Sequence, residues 1–125
     1  MNNSLYIGGF VYNKLTTIEQ TGTRCYPLIA ENSTNFPFII YKRDGLERDS
    51  LTKDGYGDDN VTVTITVVAE SYKESIDIAQ QVRQLLTVNS YNYNMMKITS
   101  NLTAAYESFE DNSYIQSLTF SMSVS

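Results

Sequence analysis

Val61, Val63, Ile65, Val67 and Ala69 alternate with Thr62, Thr64, Thr66 and Val68, the most regular pattern in the chain. A period of two places the first set on one face of a strand and the threonines on the other. The β-branched residues suit an extended backbone, and the threonine face predicts partial exposure or contact with another subunit, not full burial. Leu118, Phe120, Met122 and Val124 repeat the alternation against Ser and Thr. Tyr114 to Val124 is therefore read as a strand. It pairs in a hairpin with a segment from about Met95 to Ser108, across the turn-forming Glu110-Asp111-Asn112-Ser113.

Helical periodicity appears twice. Ile7, Val11, Leu15 and Ile18 are spaced by four, four and three, which lines one face of a helix over Leu5 to Glu19. Gly8-Gly9 costs that helix about 1 kcal/mol per glycine, so the spacing predicts an irregular first turn or a neighbour approaching closely there; Gly22 ends the element. The second helix has clearer punctuation. Ser71 stands as N-cap with Glu74 three residues later, the capping-box spacing, and a stripe follows through Ile76, Ala79, Val82, Arg83 and Leu86.

Between these elements, Thr23 to Ala30 and Phe36 to Arg43 are rich in Tyr, Ile and Phe and flank the polar Glu31-Asn32-Ser33-Thr34-Asn35. They read as two antiparallel strands, with Pro27 and Pro37 at a strand start, an edge or a bulge because proline cannot donate to a ladder. Asp44 to Asn60 combines glycines with many charges and little periodicity, and reads as one long loop. Asn89 to Asn94 breaks the helical pattern and reads as a plain loop. The order of elements implies an α+β domain, a mainly antiparallel sheet of about five strands covered on one face by two helices. Residues 1–125 form one domain in this reading, with no internal repeat.

Composition narrows the chemistry. A net charge of -5 argues against binding a phosphate backbone, an affinity that Lys and Arg supply. The chain has no histidine, the commonest general base and neutral metal ligand, and one cysteine, so an internal disulfide and a multi-cysteine zinc site are excluded. Cys25, between Arg24 and Tyr26, reads as a small buried side chain and not as a nucleophile. Asp49, Asp54, Asp58 and Asp59 match no calcium-loop spacing, and Gly55-Tyr56-Gly57 lacks the lysine and strand-to-helix context of a phosphate cradle. No catalytic, metal or cofactor residues are assigned, and the expectation is a protein that is not an enzyme and needs no cofactor. No apolar run reaches the roughly 20 residues of a membrane span, and Met1-Asn2-Asn3-Ser4 lacks the basic region of a signal peptide, so the chain is expected in the cytosol where it is made. Ten tyrosines without a tryptophan are the unusual feature. Tyr56, Tyr91 and Tyr93 fall in expected loops and are read either as interface contacts or as packed on their own domain.

The order of short signatures carries a resemblance. Arg24-Cys25-Tyr26-Pro27, Phe36-Pro37-Phe38-Ile39-Ile40-Tyr41, Thr52-Lys53-Asp54-Gly55, and Val61 to Glu70 running through Ser71-Tyr72-Lys73-Glu74 into an amphipathic helix resemble the tail-completion, or tail-terminator, proteins of long-tailed bacteriophages and prophages. Leu118 to Val124 is similar to the end of that family, so the likeness spans nearly the whole chain. It implies a structural virion protein that forms a ring, typically of six subunits, on the head-facing end of the tail tube. Such a ring ends tube polymerisation and presents a docking surface for the head. The implied partners are further copies of the chain, the tail-tube protein and the head-connector protein, with no membrane and no direct nucleic-acid recognition. The implied location is the neck end of the virion tail, reached from the host cytoplasm during assembly. Arg48, Lys53, Asp54, Tyr56 and Asp58 are the expected interface residues. A head-tail connector or closure protein is the nearest alternative, and a small ligand-binding domain a more distant one.

Overall fold

The computed structural model describes residues 4–31, 34–48 and 58–125. A 3-10 turn, Ser4–Tyr6, leads into helix α1 (Ile7–Leu15), followed by strands β1 (Cys25–Pro27), β2 (Phe38–Arg48) and β3 (Asp59–Ala69). Helix α2 (Tyr72–Leu86) and strands β4 (Val88–Tyr93), β5 (Met96–Glu110) and β6 (Ser113–Val124) complete the chain. The strands form one sheet in the order β1-β2-β3-β6-β5-β4. Every neighbouring pair is antiparallel except β1 with β2. The α+β class and the two helices agree with the sequence; the sheet has six strands, one more than expected.

The two alternating strands sit together at its centre. Val61 registers with Met122, Val63 with Phe120 and Ile65 with Leu118, and all six are buried in the core shared with α1 and α2. Ile7, Val11, Leu15 and Ile18 are all buried as their spacing requires, joined by Phe10, although the helix itself stops at Leu15.

Gly8-Gly9 has both expected consequences. The turn ahead of α1 is 3-10, and a Cβ placed on Gly9 would lie 2.5 Å from Tyr93 Oη, its aromatic carbons lying farther off. Gly9→Ala therefore sets a helix-propensity gain of up to about 1 kcal/mol against displacement of that hydroxyl. The expected result, read by thermal melting, is little gain or a loss in the native background and a gain once Tyr93→Phe has removed the oxygen.

The cap of α2 is also as expected: Ser71 is extended (φ -126°, ψ 149°) and its side chain accepts a hydrogen bond from the Glu74 backbone N–H at 3.1 Å. Ser71→Ala should cost about 1 kcal/mol in urea denaturation, whereas Ser71→Asp should keep most of the stability because aspartate caps equally well.

Four local expectations are corrected. β1 is parallel to β2, with Cys25, Tyr26 and Pro27 opposite Ile39, Ile40 and Tyr41, so the connection between them is a crossover and not a hairpin turn. Asp44 to Asn60 is not one loop. β2 continues to Arg48 and β3 begins at Asp59, with Arg48 opposite Asp59, and the strand absorbs its irregular composition by a bulge between Arg43 and Gly45. Ser90 to Asn94 is not a plain loop either, since β4 runs to Tyr93 along β5, with Tyr91 opposite Ile98 and Tyr93 opposite Met96. Finally, α2 buries Ser75, Ile78, Ala79, Val82 and Leu86, while Ile76 and Arg83 face outward.

Candidate assembly interface

Both helices cover one face of the sheet, and among the described residues no element covers the other face. Cross-strand register builds that face in rows. Thr62 lies opposite Ser121, Thr64 opposite Thr119 and Thr66 opposite Ser117, a hydroxyl-lined centre that is half-buried or exposed. Toward the end of the sheet that holds the β5–β6 turn, the rows become apolar: Phe38 opposite Val68, and Val68 opposite Ile115. Phe38 is joined there by Tyr26 and Phe36, with ring centroids 6.5 and 5.5 Å away. The threonine face thus has the partial exposure expected of it.

Of the expected interface residues, Lys53, Asp54 and Tyr56 lie outside the described residues. Arg48 and Asp58 stand at the two sides of the β2–β3 connection, Arg48 closing β2 and Asp58 immediately preceding β3. Asp58 is exposed and accepts a hydrogen bond from Ser123 Oγ at 3.4 Å. Next to it, Asp59 accepts one from Ser4 Oγ at 2.5 Å, which ties the start of the chain to this end of the sheet.

Tyr91 and Tyr93 are not loop contacts. Their rings lie 5.5 and 6.0 Å from that of Phe10, and Lys14 Nζ sits 4.1 Å from the Tyr91 ring centroid. Both pack onto α1 of their own chain, which the period of α1 and the aromatic run after α2 could have suggested. Tyr72 donates to both carboxylate oxygens of Glu107, at 3.2 and 3.0 Å. That hydrogen bond, with the carboxylate's charge, raises the phenol's pKa above its ordinary value.

Cys25 is buried in the core, and burial pushes its thiol up to about 11 against the opposing pull of Arg24. Iodoacetamide at pH 8 should therefore modify the folded protein more than tenfold more slowly than the urea-unfolded chain, because the thiolate is the nucleophile. The sign for stability follows from the same shift. The contribution from keeping this thiol neutral is fully present below pH 9.0 and is lost as pH rises through about 11.

Sequence reasoning missed two features. The first is a groove of about 330 Å³ between the start of the chain and the β1–β2 edge, lined chiefly by Leu5, Ile7, Val11, Leu28, Tyr41 and Arg43. Arg43 Nη1 donates to the Leu5 carbonyl at 3.1 Å across it. The second, among the described residues, is a pair of strand edges that lack a partner strand over part of their length. β1 covers β2 only at Ile39 to Tyr41, and β4 covers β5 only at Met96 to Ser100. Lys42–Arg48 and Asn101–Glu110 therefore run along open edges. Unequal strand lengths are what expose them, and single-sequence periodicity does not fix where pairing stops. Among the described residues no cluster of His, Cys, Asp and Glu is placed to hold a metal ion, and no helix is long and apolar enough to cross a membrane.

No family model matches the chain, and no curated protein matches it. Its fold is shared with solved structures. One is a chain from the virion of a native gene transfer agent particle, 14% identical, with a TM-score of 0.72 over 91% of this chain and 90% of that one. A second solved chain is 9% identical, with a TM-score of 0.69 over 100% of this chain and 96% of that one. At these identities the likeness is one of fold.

Proposed function

We propose that this protein is a non-enzymatic structural component of a virion, a single-domain subunit that assembles into a ring on the head-facing end of a tail tube, ends its polymerisation and presents a docking surface for the head. The observation that carries this reading is the fold shared with a gene transfer agent virion chain over nine-tenths of both chains. The signature order from Arg24 to Val124 supports the tail-terminator role within that class. The open sheet face supports assembly, because a hydroxyl-lined centre bordered by Phe36, Phe38 and Ile40 offers both polar and apolar contact area to a neighbour. In this reading the β2–β3 connection, with Arg48, Lys53, Asp54, Tyr56 and Asp58, meets the tail tube or the adjacent subunit.

Native mass spectrometry of the purified protein, alone and mixed with the tube protein, tests the ring directly. A closed species near six subunits is expected. Electron microscopy of tubes polymerised in its presence should then show it at one end only, with shorter tubes as its concentration rises. Monomers under every condition, with tubes of unchanged length, would overturn the proposal. Binding of the labelled ring to the head portal in place of the tube would assign it to a connector or closure role.

A further inference from the structure

The two strand edges lie at opposite ends of the sheet and match each other in face and in the opposite sign of their net charge. Register across the sheet aligns Arg43 through Val63 and Phe120 with Leu102, and Lys42 through Thr64 and Thr119 with Ala104. The open run of β2, Lys42–Arg48, thus sits at the end nearest the β2–β3 connection. The open run of β5, Asn101–Glu110, extends to the β5–β6 turn. An edge strand with unpaired N–H and C=O groups is a template for another strand, and proteins that stay apart blunt such edges with lysine or proline. Asn101–Glu110 contains neither, and exposes Tyr106 and Phe109. Its only charges are Glu107 and Glu110, whereas Lys42–Arg48 holds three basic residues against Asp44 and Glu47, with Lys42 paired to Asp44 at 3.4 Å, a small positive excess.

We infer that the β5 edge of one copy adds antiparallel to the β2 edge of the next, with Arg43 opposite Glu107 of the neighbouring copy, so that one sheet continues from subunit to subunit. This deepens the ring reading and rests on it. In this register each pair shares a face: Lys42 meets Ser108 and Gly45 meets Tyr106 on the open face, while Arg43 meets Glu107 and Leu46 meets Ala105 on the helix face. The bulge between Arg43 and Gly45 and the one between Leu102 and Ala104 each absorb one residue, so the alternation survives along the whole run. The added strand stops there, because the next position of β2, Tyr41, is already covered by Pro27 of β1.

The contact is heterologous, since different edges meet, and such contacts give rings when the rotation closes. Bringing Arg43 from the level of Leu102 to that of Glu107 shifts the neighbour by about four residues, roughly 13 Å at 3.3 Å per residue, across about 19 Å of four strands. A strand tilt of about 35° relative to the ring axis absorbs that shift, within the range of closed barrels.

The test is cross-linking in a Cys25→Ala background. Gly45 has nothing within 4 Å of an added Cβ, and Tyr106 is exposed, so both accept cysteine. Chains carrying both Gly45→Cys and Tyr106→Cys should give, on mild oxidation or with a short bismaleimide, a ladder on reducing-agent-free gels that ends at the ring size seen by native mass spectrometry. An equimolar mixture of the two single variants should stop at dimers. Arg43→Glu and Glu107→Arg should each lower ring abundance at least tenfold, and the double variant should restore it. Rings that form normally without cross-links, and that tolerate both charge reversals, would overturn the edge pairing and leave the ring reading standing. Absence of any ring, alone or on tail tubes, would overturn both.

Discussion

Phe120→Ala is expected to lower the unfolding free energy by about 3–5 kcal/mol, seen as a large fall in the urea midpoint with the slope unchanged. Phe120 is fully buried in β6, opposite Val63 on one side and Leu102 on the other, with its ring on the face that α1 and α2 cover. Truncation removes the transfer energy of the ring and leaves a cavity that a sheet pinned on both sides cannot close. Domains of this size have about 5–15 kcal/mol in total, so the variant should be barely folded at 37 °C if the parent lies at the lower end. Thr119→Ala is the matched control, one residue earlier in the same strand but on the open face. It should cost less than about 1 kcal/mol. Equal losses at the two positions would mean that both faces of the sheet are covered in the isolated protein.

That contrast between neighbouring residues was legible in the sequence because the period-two alternation from Leu118 to Val124 fixes both the strand and its faces. The capped start of α2 was equally plain, since Ser71 and Glu74 satisfy the first free N–H groups by local chemistry alone. The elements that were misread depend on partners distant in sequence. Asp44 to Arg48 carries three charged residues and a glycine, a loop composition, yet it is held in the sheet by β3, whose own pattern is strong enough to template a weak neighbour. Tyr91 and Tyr93 sit among asparagines that favour turns, and become strand because their rings cover Phe10 and their backbones pair with Met96 and Ile98. The crossover from β1 to β2 replaced an expected hairpin for a related reason: a polar connection says where a strand stops, not on which side the chain returns. Of the candidate site, the charged residues flanking the β2–β3 connection could be named from composition. The open edges and the groove could not, because they arise where one strand outruns its neighbour.

The clearest separation between the sequence stripe and the folded helix comes at Ile76 and Ile78. The stripe through Ile76, Ala79, Val82 and Arg83 maximises apolar residues on one side, but α2 is rotated so that Ser75 and Ile78 face the sheet instead. The rotation is tolerable because Ser75 Oγ is satisfied where it is buried, donating to the Tyr72 carbonyl at 2.7 Å and accepting from Gln116 Nε2 at 3.3 Å. It also aims Tyr72 at Glu107 and against the ring of Tyr114, centroids 5.9 Å apart, which binds the helix start to β5 and β6. Ile78→Ala should therefore cost about 2–5 kcal/mol, since the side chain is fully buried and a helix of this length has little stability away from its packing surface. Ile76→Ala, at a side chain 40% exposed, should cost less than about 1 kcal/mol. Parallel urea titrations of the two variants decide the matter: a larger loss at Ile76 would place the helix on its other face and would release Tyr72 from Glu107, whereas the expected order keeps that end of the sheet, with the open β5 edge beside it, as described.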